Sequence, residues 1–404
     1  MTEHNNPVRV VVIGGGYAGT LAANRLRQRA DLDITLVNPR PHFVERIRLH
    51  QFAARTGDAT IDYGTLLGDG IRLAVDSATR IDTATRTVRL ASGRALDYDY
   101  VVHAVGSTAP PPPSVPDAAG LALPIGEFES ARRLRARLDD LPADAPVTVV
   151  GGGLTGIETA AELAERGRRV TLVCGRGLAP TLSAPGRRYV AKWLARHGVT
   201  VLGTGVVTEV RPDAVVLAAG TADDPAGGTV RPSALTVWAA GFGVPDLAAA
   251  SGLRTDTLGR LLTDETLTSV DDDRIVGAGD SAAPSGRPLR MSGYAAGPLG
   301  AQAADTVLSR IAGTEPAPLD LAFAGVCVSL GRRAAVRQLA RKDDTPVNAY
   351  IGGRPGAVIK EMTCKYVVAK RIRREAREPG SMSWLKGGPP RVRPASGARE
   401  ATSP

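Results

Sequence analysis

The chain contains one unit twice. Its first copy reads Arg9-Val-Val-Val-Ile-Gly-Gly-Gly-Tyr-Ala-Gly19, followed by a helix-forming stretch over residues 20–29 and a second β-branched run, Asp33-Ile-Thr-Leu-Val-Asn38. The second copy reads Val147-Thr-Val-Val-Gly-Gly-Gly-Leu-Thr-Gly156, then a helical stretch over 157–166, then Arg169-Val-Thr-Leu-Val-Cys174. From first glycine to strand end the spacing is 24 residues in one copy (14 to 38) and 23 in the other (151 to 174). Short apolar runs joined through a glycine turn and a helix are parallel strands with a crossover, a βαβ unit. Two matched units imply an α/β chain built on two doubly wound parallel sheets.

The glycines have a physical task in such a unit. The first makes the tight turn, the second lets backbone N–H groups approach a pyrophosphate, and the third allows close helix–strand packing. Here these are Gly14, Gly16 and Gly19, with Gly15 between them, and Gly151, Gly153 and Gly156. The helix N-terminus that follows favours negative charge. Two units therefore predict two dinucleotide sites in one chain.

Three more strands end in glycine: Tyr98 to Gly106, Leu235 to Gly241, and Arg274-Ile-Val-Gly-Ala-Gly-Asp280. Four consecutive prolines, Pro110 to Pro113, read as a stiff linker, and Asp223 to Gly228 as a hairpin tip. A helix is expected from about Gly297 to Ile311, and strands of a third region from Leu319 to Leu330. Residues 379–404, rich in Pro, Gly, Ser and Arg, read as a disordered tail.

With these residues the chain resembles the FAD-dependent pyridine nucleotide-disulfide oxidoreductase superfamily over roughly residues 8–335. The resemblance implies FAD at the first unit and NAD(P)H at the second, inserted one. It divides the chain into an FAD domain in two pieces (1–112 and 234–314), an NAD(P)H domain (113–233), a small C-terminal α+β domain (315–378) and the tail. Disulfide reductases carry a CxxC after the first helix; this chain has Phe43 to His50 there. Thr155-Gly156-Ile157-Glu158 and the stretch ending Val-Ser-Leu-Gly-Arg332 are similar to type II NADH dehydrogenases and ferroptosis-suppressor-like quinone reductases, which work without a redox disulfide. By that resemblance Asp280, with Gly279, meets the flavin's ribityl chain, and Glu158 the nicotinamide-side ribose. Gly106 and Gly241 close the FAD and NAD(P)H sites. The expected acceptor is a quinone, in a pocket lined by the helix near Pro298 to Gln302 and by the C-terminal region; the alternatives are an acidic ferredoxin- or rubredoxin-type carrier, an organic substrate, or a flavin-loaded sensor with little turnover. Arg46 and Arg48 stand near the flavin or its phosphates, with His50 beside it.

The strand ends depart from that pattern. An acid usually accepts hydrogen bonds from the ribose hydroxyls there. The first copy has Asn38, which can still accept one. The second has Cys174, with Arg176 beyond it, and an arginine there can pair with a 2′-phosphate.

Charge bounds the partners. Residues 331–404 hold 17 Lys+Arg and 6 Asp+Glu, a balance of +11, so the other 330 residues carry 33 and 35, a balance of −2. A neutral body with a basic end reads as binding an anionic membrane surface or an acidic ferredoxin-like carrier rather than nucleic acid. Within 357–377, Val358, Ile359, Met362, Tyr366, Ala369 and Ala376 share a helical arc, opposite Lys360, Arg371 and Arg374, with Lys370 at its edge and Lys365, Arg373 and Arg377 intruding on the apolar side. Such a helix either packs on the body or a second copy of the chain, or lies on a membrane. The three cysteines, Cys174, Cys327 and Cys364, are far apart in sequence, and Cys327 reads as a core residue. The five histidines lack metal-ligand spacing. No triad or paired carboxylate is evident, so the expected chemistry belongs to the flavin. The expected location is cytoplasmic, either soluble or peripheral on the inner face of the cell membrane.

Overall fold

A computed structural model describes residues 7–109, 114–115, 118–218 and 228–391. The proline linker, most of the 223–228 tip and residues 392–404 lie outside the described residues. The first unit comprises β1 (Val8–Ile13), α1 (Tyr17–Leu26), β2 (Leu32–Asn38), β3 (Ile71–Val75) and β4 (Tyr100–His103). The second comprises β5 (Ala122–Pro124), β6 (Pro146–Val150), α2 (Leu154–Glu165), β7 (Arg169–Val173), β8 (Thr200–Leu202) and β9 (Leu235–Trp238). The chain continues through β10 (Ile275–Gly277), α3 (Gly293–Ile311), β11 (Gly325–Leu330), β12 (Ala334–Ala340), β13 (Pro346–Gly352) and α4 (Gly353–Lys365).

Both units form five-stranded parallel sheets, in the orders β10-β4-β1-β2-β3 and β5-β9-β6-β7-β8. Strands covered on both faces read as unbroken apolar runs, and Val10 to Ile13 and Val147 to Val150 are buried throughout. In each unit the chain leaves for a three-stranded antiparallel sheet before its return strand. These are Ala78–Asp82, Thr87–Leu90 and Ala95–Asp97 in the first, and Val207–Val210, Ala214–Leu217 and Val230–Pro232 in the second. The duplication is thus longer than the motif that revealed it. It also corrects a boundary. Leu235–Trp238 pairs with β5 and β6 in the second sheet, so the chain leaves the second domain after this strand and not at residue 234.

The third region is an antiparallel sheet of β11, β12 and β13 with α4 running off its end. Helix α3 starts one turn earlier than expected, where the Ser292 hydroxyl accepts the Ala295 N–H at 3.2 Å. Past α4 the helix continues through a π-turn, Tyr366–Ile372, into Arg373–Arg377.

Residues 379–391 are not a disordered tail. Glu375, fully buried and paired with Arg25 at 3.2 Å, accepts the N–H groups of Gly380 (2.6 Å) and Met382 (2.7 Å). Met382 is buried in the first domain's core, and the Trp384 indole donates to the Asp320 carbonyl at 2.8 Å. Proline and glycine lower a segment's ordering tendency, but one methionine and one tryptophan with partners for their backbone overcome it.

Candidate active site

The glycine loops end the first strand of each sheet in the same way. Gly14 and Gly151 have φ of +105° and +130°, which an L side chain resists. A Cβ on Gly19 would lie 1.8 Å from the Gly14 carbonyl oxygen, and one on Gly156 1.9 Å from that of Gly151. Only glycine lets each helix approach its strand so closely. The Asn38 side chain accepts the Gly15 N–H at 3.0 Å and donates to the Arg40 carbonyl at 2.7 Å, so it braces the first loop.

Both loops open on one cleft of about 460 Å³. Gly16, Gly106, Gly153, Thr155, Glu158, Gly241, Gly279 and Asp280 all line it. Asp280 is held in place: its Oδ2 accepts the Ser107 hydroxyl at 2.8 Å and its Oδ1 the Ser292 N–H at 3.2 Å. Arg46 lines the same wall, donating to the Ser107 carbonyl at 2.6 Å and the Gly126 carbonyl at 3.0 Å. Nothing would touch a Cβ on Gly16 within 4 Å, so the space before α1 is open. An open space at a helix N-terminus, with a fixed carboxylate in the same cleft, fits an extended dinucleotide. FAD there would supply electron transfer between a nicotinamide and an acceptor.

Glu158 lies where the two domains and the third region meet. Its Oε1 pairs with the Lys360 ammonium at 2.7 Å and accepts the Ser329 N–H at 2.9 Å and hydroxyl at 3.2 Å. Burial would raise its pKa, but Lys360 above all, with His50 and the Ser329 N–H, holds it below the usual carboxylate range. Burial likewise opposes the charge on Lys360, and Glu158 more than offsets it, so the ammonium titrates above the usual range. His50 lines the cleft with Nε2 3.4 Å from the Ser329 hydroxyl; burial pushes its pKa down to about 4, leaving it neutral at pH 7. The Tyr17 hydroxyl, buried on the cleft wall, has no hydrogen-bond partner among the described residues, and burial raises its pKa.

Some expected residues lie elsewhere. Arg48 is buried outside the cleft lining and tied to Glu45 (3.4 Å) and Glu361 (3.1 Å). Pro298 and Gln302 do not line the cleft. Gly293, Tyr294 and Ala296 at the start of α3 do, while the Gln302 amide, a turn past Pro298, donates to the Ala317 carbonyl at 2.9 Å. Gly300 rests on the Ala18 backbone of α1, so α3 turns its first residues to the cleft and positions 298 and 302 away from it. Cys327 is not a core side chain: it lines the cleft, with the Arg337 guanidinium 3.8 Å from its Sγ. Cys174 and Arg176 stand outside the cleft, at the far end of the second loop.

Helix α4 is turned opposite to its amphipathic pattern. Lys360 and Cys364 face the cleft, whereas Val358, Met362 and Tyr366 are 59%, 65% and 45% exposed. Reasoning from the sequence missed Lys360 and Cys364 as cleft residues, and Ser329 as the partner of Glu158. The signal was present in one place: an acid on α2 that must be buried requires a cation from a distant segment.

A model of the pyridine nucleotide-disulphide oxidoreductase family matches residues 8–304. The chain belongs to this family. An NADH dehydrogenase-like protein of Mycobacterium tuberculosis is 31% identical over 304 residues, covering 68% of this chain and 73% of that protein. A type II NADH:quinone oxidoreductase of the same organism is 28% identical over 381 residues, 82% of this chain and 79% of the other. Among solved structures, NDH2 from Plasmodium falciparum, in complex with NADH, aligns with a TM-score of 0.77 at 14% identity, over 92% of this chain and 97% of that one. The chain is accordingly an oxidoreductase with sites for FAD and NAD(P)H.

Proposed function

We propose that the protein passes hydride from NAD(P)H to FAD and then electrons to a quinone-like acceptor, while seated on the anionic inner surface of the cell membrane. The observation that carries this is the single cleft. It joins the two glycine loops and continues to Cys364 on α4, whose opposite face holds Val358, Met362 and Tyr366 exposed. The relatives named NADH:quinone oxidoreductases support the acceptor class.

Gly16, Gly106, Arg46 and Asp280 would hold FAD; Gly153, Thr155 and Gly241 would meet the nicotinamide nucleotide. Reducing a quinone takes up a proton, and Lys360, Glu158 and His50 place polar groups on the cleft wall, with Ser329 hydrogen-bonded to Glu158. No helix among the described residues is long and apolar enough to cross a membrane. The exposed stripe, with Arg354, Lys365, Lys370 and Arg377 exposed around it, suits a lipid surface better than an acidic carrier, which would need no apolar face. Fully burying such apolar side chains contributes about 1.5–3 kcal/mol each, and each cation near anionic lipid about 1 kcal/mol, so the attachment is reversible and salt-sensitive.

Anaerobic titration of the FAD-loaded protein with NADH and NADPH, followed by turnover with menadione, tests the chemistry. A protein that takes up no flavin, or is not bleached by either nucleotide, refutes it. Co-sedimentation with anionic and neutral liposomes tests the seat, using wild type and Val358→Ser/Met362→Ser/Tyr366→Ser. Wild type in the supernatant with anionic vesicles at low salt refutes the membrane reading and leaves the stripe to a second copy of the chain.

A further inference from the structure

The two units each place an arginine two residues beyond the position that closes the second strand, Arg40 after Asn38 at the end of β2 and Arg176 after Cys174, the first residue past β7. The copies use it differently. Arg40 is closed by a bidentate pair with Glu129, at 2.6 and 2.5 Å. Arg176 is exposed, and among the described residues it makes no ion pair or hydrogen bond.

Its turn is nonetheless fixed. Gly175 and Gly177, with φ of +62° and +100°, flank it. The Gly175 N–H donates to the Gly205 carbonyl at 2.9 Å and the Ala179 N–H to the Gly152 carbonyl at 2.8 Å. The turn also leans on the glycine loop itself: a Cβ on Gly152 would lie 2.4 Å from the Gly177 oxygen and 2.8 Å from Cys174 Cβ. Cys174 is buried, its Sγ 4.0 Å from the Leu172 carbonyl, so the strand ends in a neutral side chain and not a carboxylate.

The adenosine ribose of a dinucleotide lies at this strand end. An acid there accepts its 2′-hydroxyl and repels a 2′-phosphate; an arginine attracts the phosphate. We propose that the second site selects the 2′-phosphorylated nucleotide, NADPH, and that Arg176 is the residue that reads the phosphate. The acid that would repel a dianion is absent from the strand end, and a cation with no carboxylate partner among the described residues stands on an anchored turn beside the loop.

This rests on the second loop being the nicotinamide nucleotide site. The test is isothermal calorimetry of 2′,5′-ADP and 5′-AMP binding to FAD-loaded protein, since these differ only in the 2′-phosphate. Wild type should bind 2′,5′-ADP at least ~10-fold tighter, the scale of a charge-assisted hydrogen bond. Arg176→Ala should remove that difference and leave 5′-AMP unchanged; because Arg176 is exposed, the change leaves the core intact. Cys174→Glu should invert the preference, and the NADPH-to-NADH ratio of kcat/KM should follow the same order. Equal binding of the two ligands by wild type, or an Arg176→Ala protein that still prefers 2′,5′-ADP, overturns the proposal. Neither ligand involves the acceptor, so that result would leave the quinone reading intact, and loss of quinone turnover would leave this one intact.

Discussion

Replacing Lys360 with methionine should destabilise the protein in a way that depends on pH. The substitution keeps the length of the side chain and removes the ammonium 2.7 Å from Glu158 Oε1. Removing one member of a buried pair costs about 3–5 kcal/mol when the other charge stays. Two features lower that here. The Ser329 N–H at 2.9 Å and hydroxyl at 3.2 Å still reach the carboxylate. Glu158 can also protonate, and protonating a carboxyl of ordinary pKa near 4.3 at pH 7 costs about 3.7 kcal/mol, which caps the loss. The expected deficit is therefore roughly 2–4 kcal/mol at pH 7 and, by the same arithmetic, about 1 kcal/mol or less at pH 5.

In the wild type the folded pKa of Glu158 is depressed. Its contribution to stability is present above the unfolded value and is lost as pH falls through the folded one. In the variant the largest influence opposing burial is gone, leaving Ser329 and His50, and the folded pKa should be raised. The contribution is then present below the unfolded value and lost as pH rises. The deficit must widen from pH 5 to pH 8. Urea midpoints of the FAD-loaded protein across that range, read by tryptophan fluorescence, give the slope. Glu158→Gln/Lys360→Met, with no buried charge at the site, should regain most of the loss at pH 7. A deficit independent of pH, or a double variant no better than the single one, would refute the reasoning.

Asp280→Ala should weaken FAD binding about 10- to 100-fold, the value of a charge-assisted hydrogen bond, seen as a lower ratio of flavin to protein absorbance after gel filtration; unchanged occupancy counts against the assigned site. Gly156→Ala should abolish nicotinamide nucleotide binding while FAD stays bound, because its Cβ would lie 1.9 Å from the Gly151 oxygen, and equilibrium dialysis with labelled NADPH reads it directly. Met382→Ala should cost about 2–5 kcal/mol of local stability and expose 379–391 to chymotrypsin, whereas equal digestion of wild type and variant would place that segment outside the core.

The sequence made both sheets legible because a parallel strand buried on two faces is an apolar run, and because glycine at a fixed spacing has few other uses. It also made Asp280, Gly106 and Gly241 legible, since each closes a strand at the sheet edge where the cleft opens. The error over Pro298 and Gln302 has a different origin. Helix α3 is apolar on several sides, so its pattern does not say which side meets the cleft. That was decided by Gly300, which rests on the Ala18 backbone and sets the rotation of the whole helix.

Helix α4 shows why the cleft wall was the hardest part to read. Periodicity assigns an apolar arc to the interior, on the assumption that water is the alternative. That assumption fails where the helix faces a cleft lined by the buried Glu158. The buried carboxylate makes a buried ammonium favourable at position 360, and the helix is held by that ion pair and by Gly356, where a Cβ would lie 2.5 Å from the Ala335 oxygen. With the polar side committed inward, Val358, Met362 and Tyr366 are forced outward. The same rotation therefore puts Lys360 in the cleft wall and presents an apolar stripe to the surroundings. A substitution that reseats α4 by its expected hydrophobic face would remove both features together.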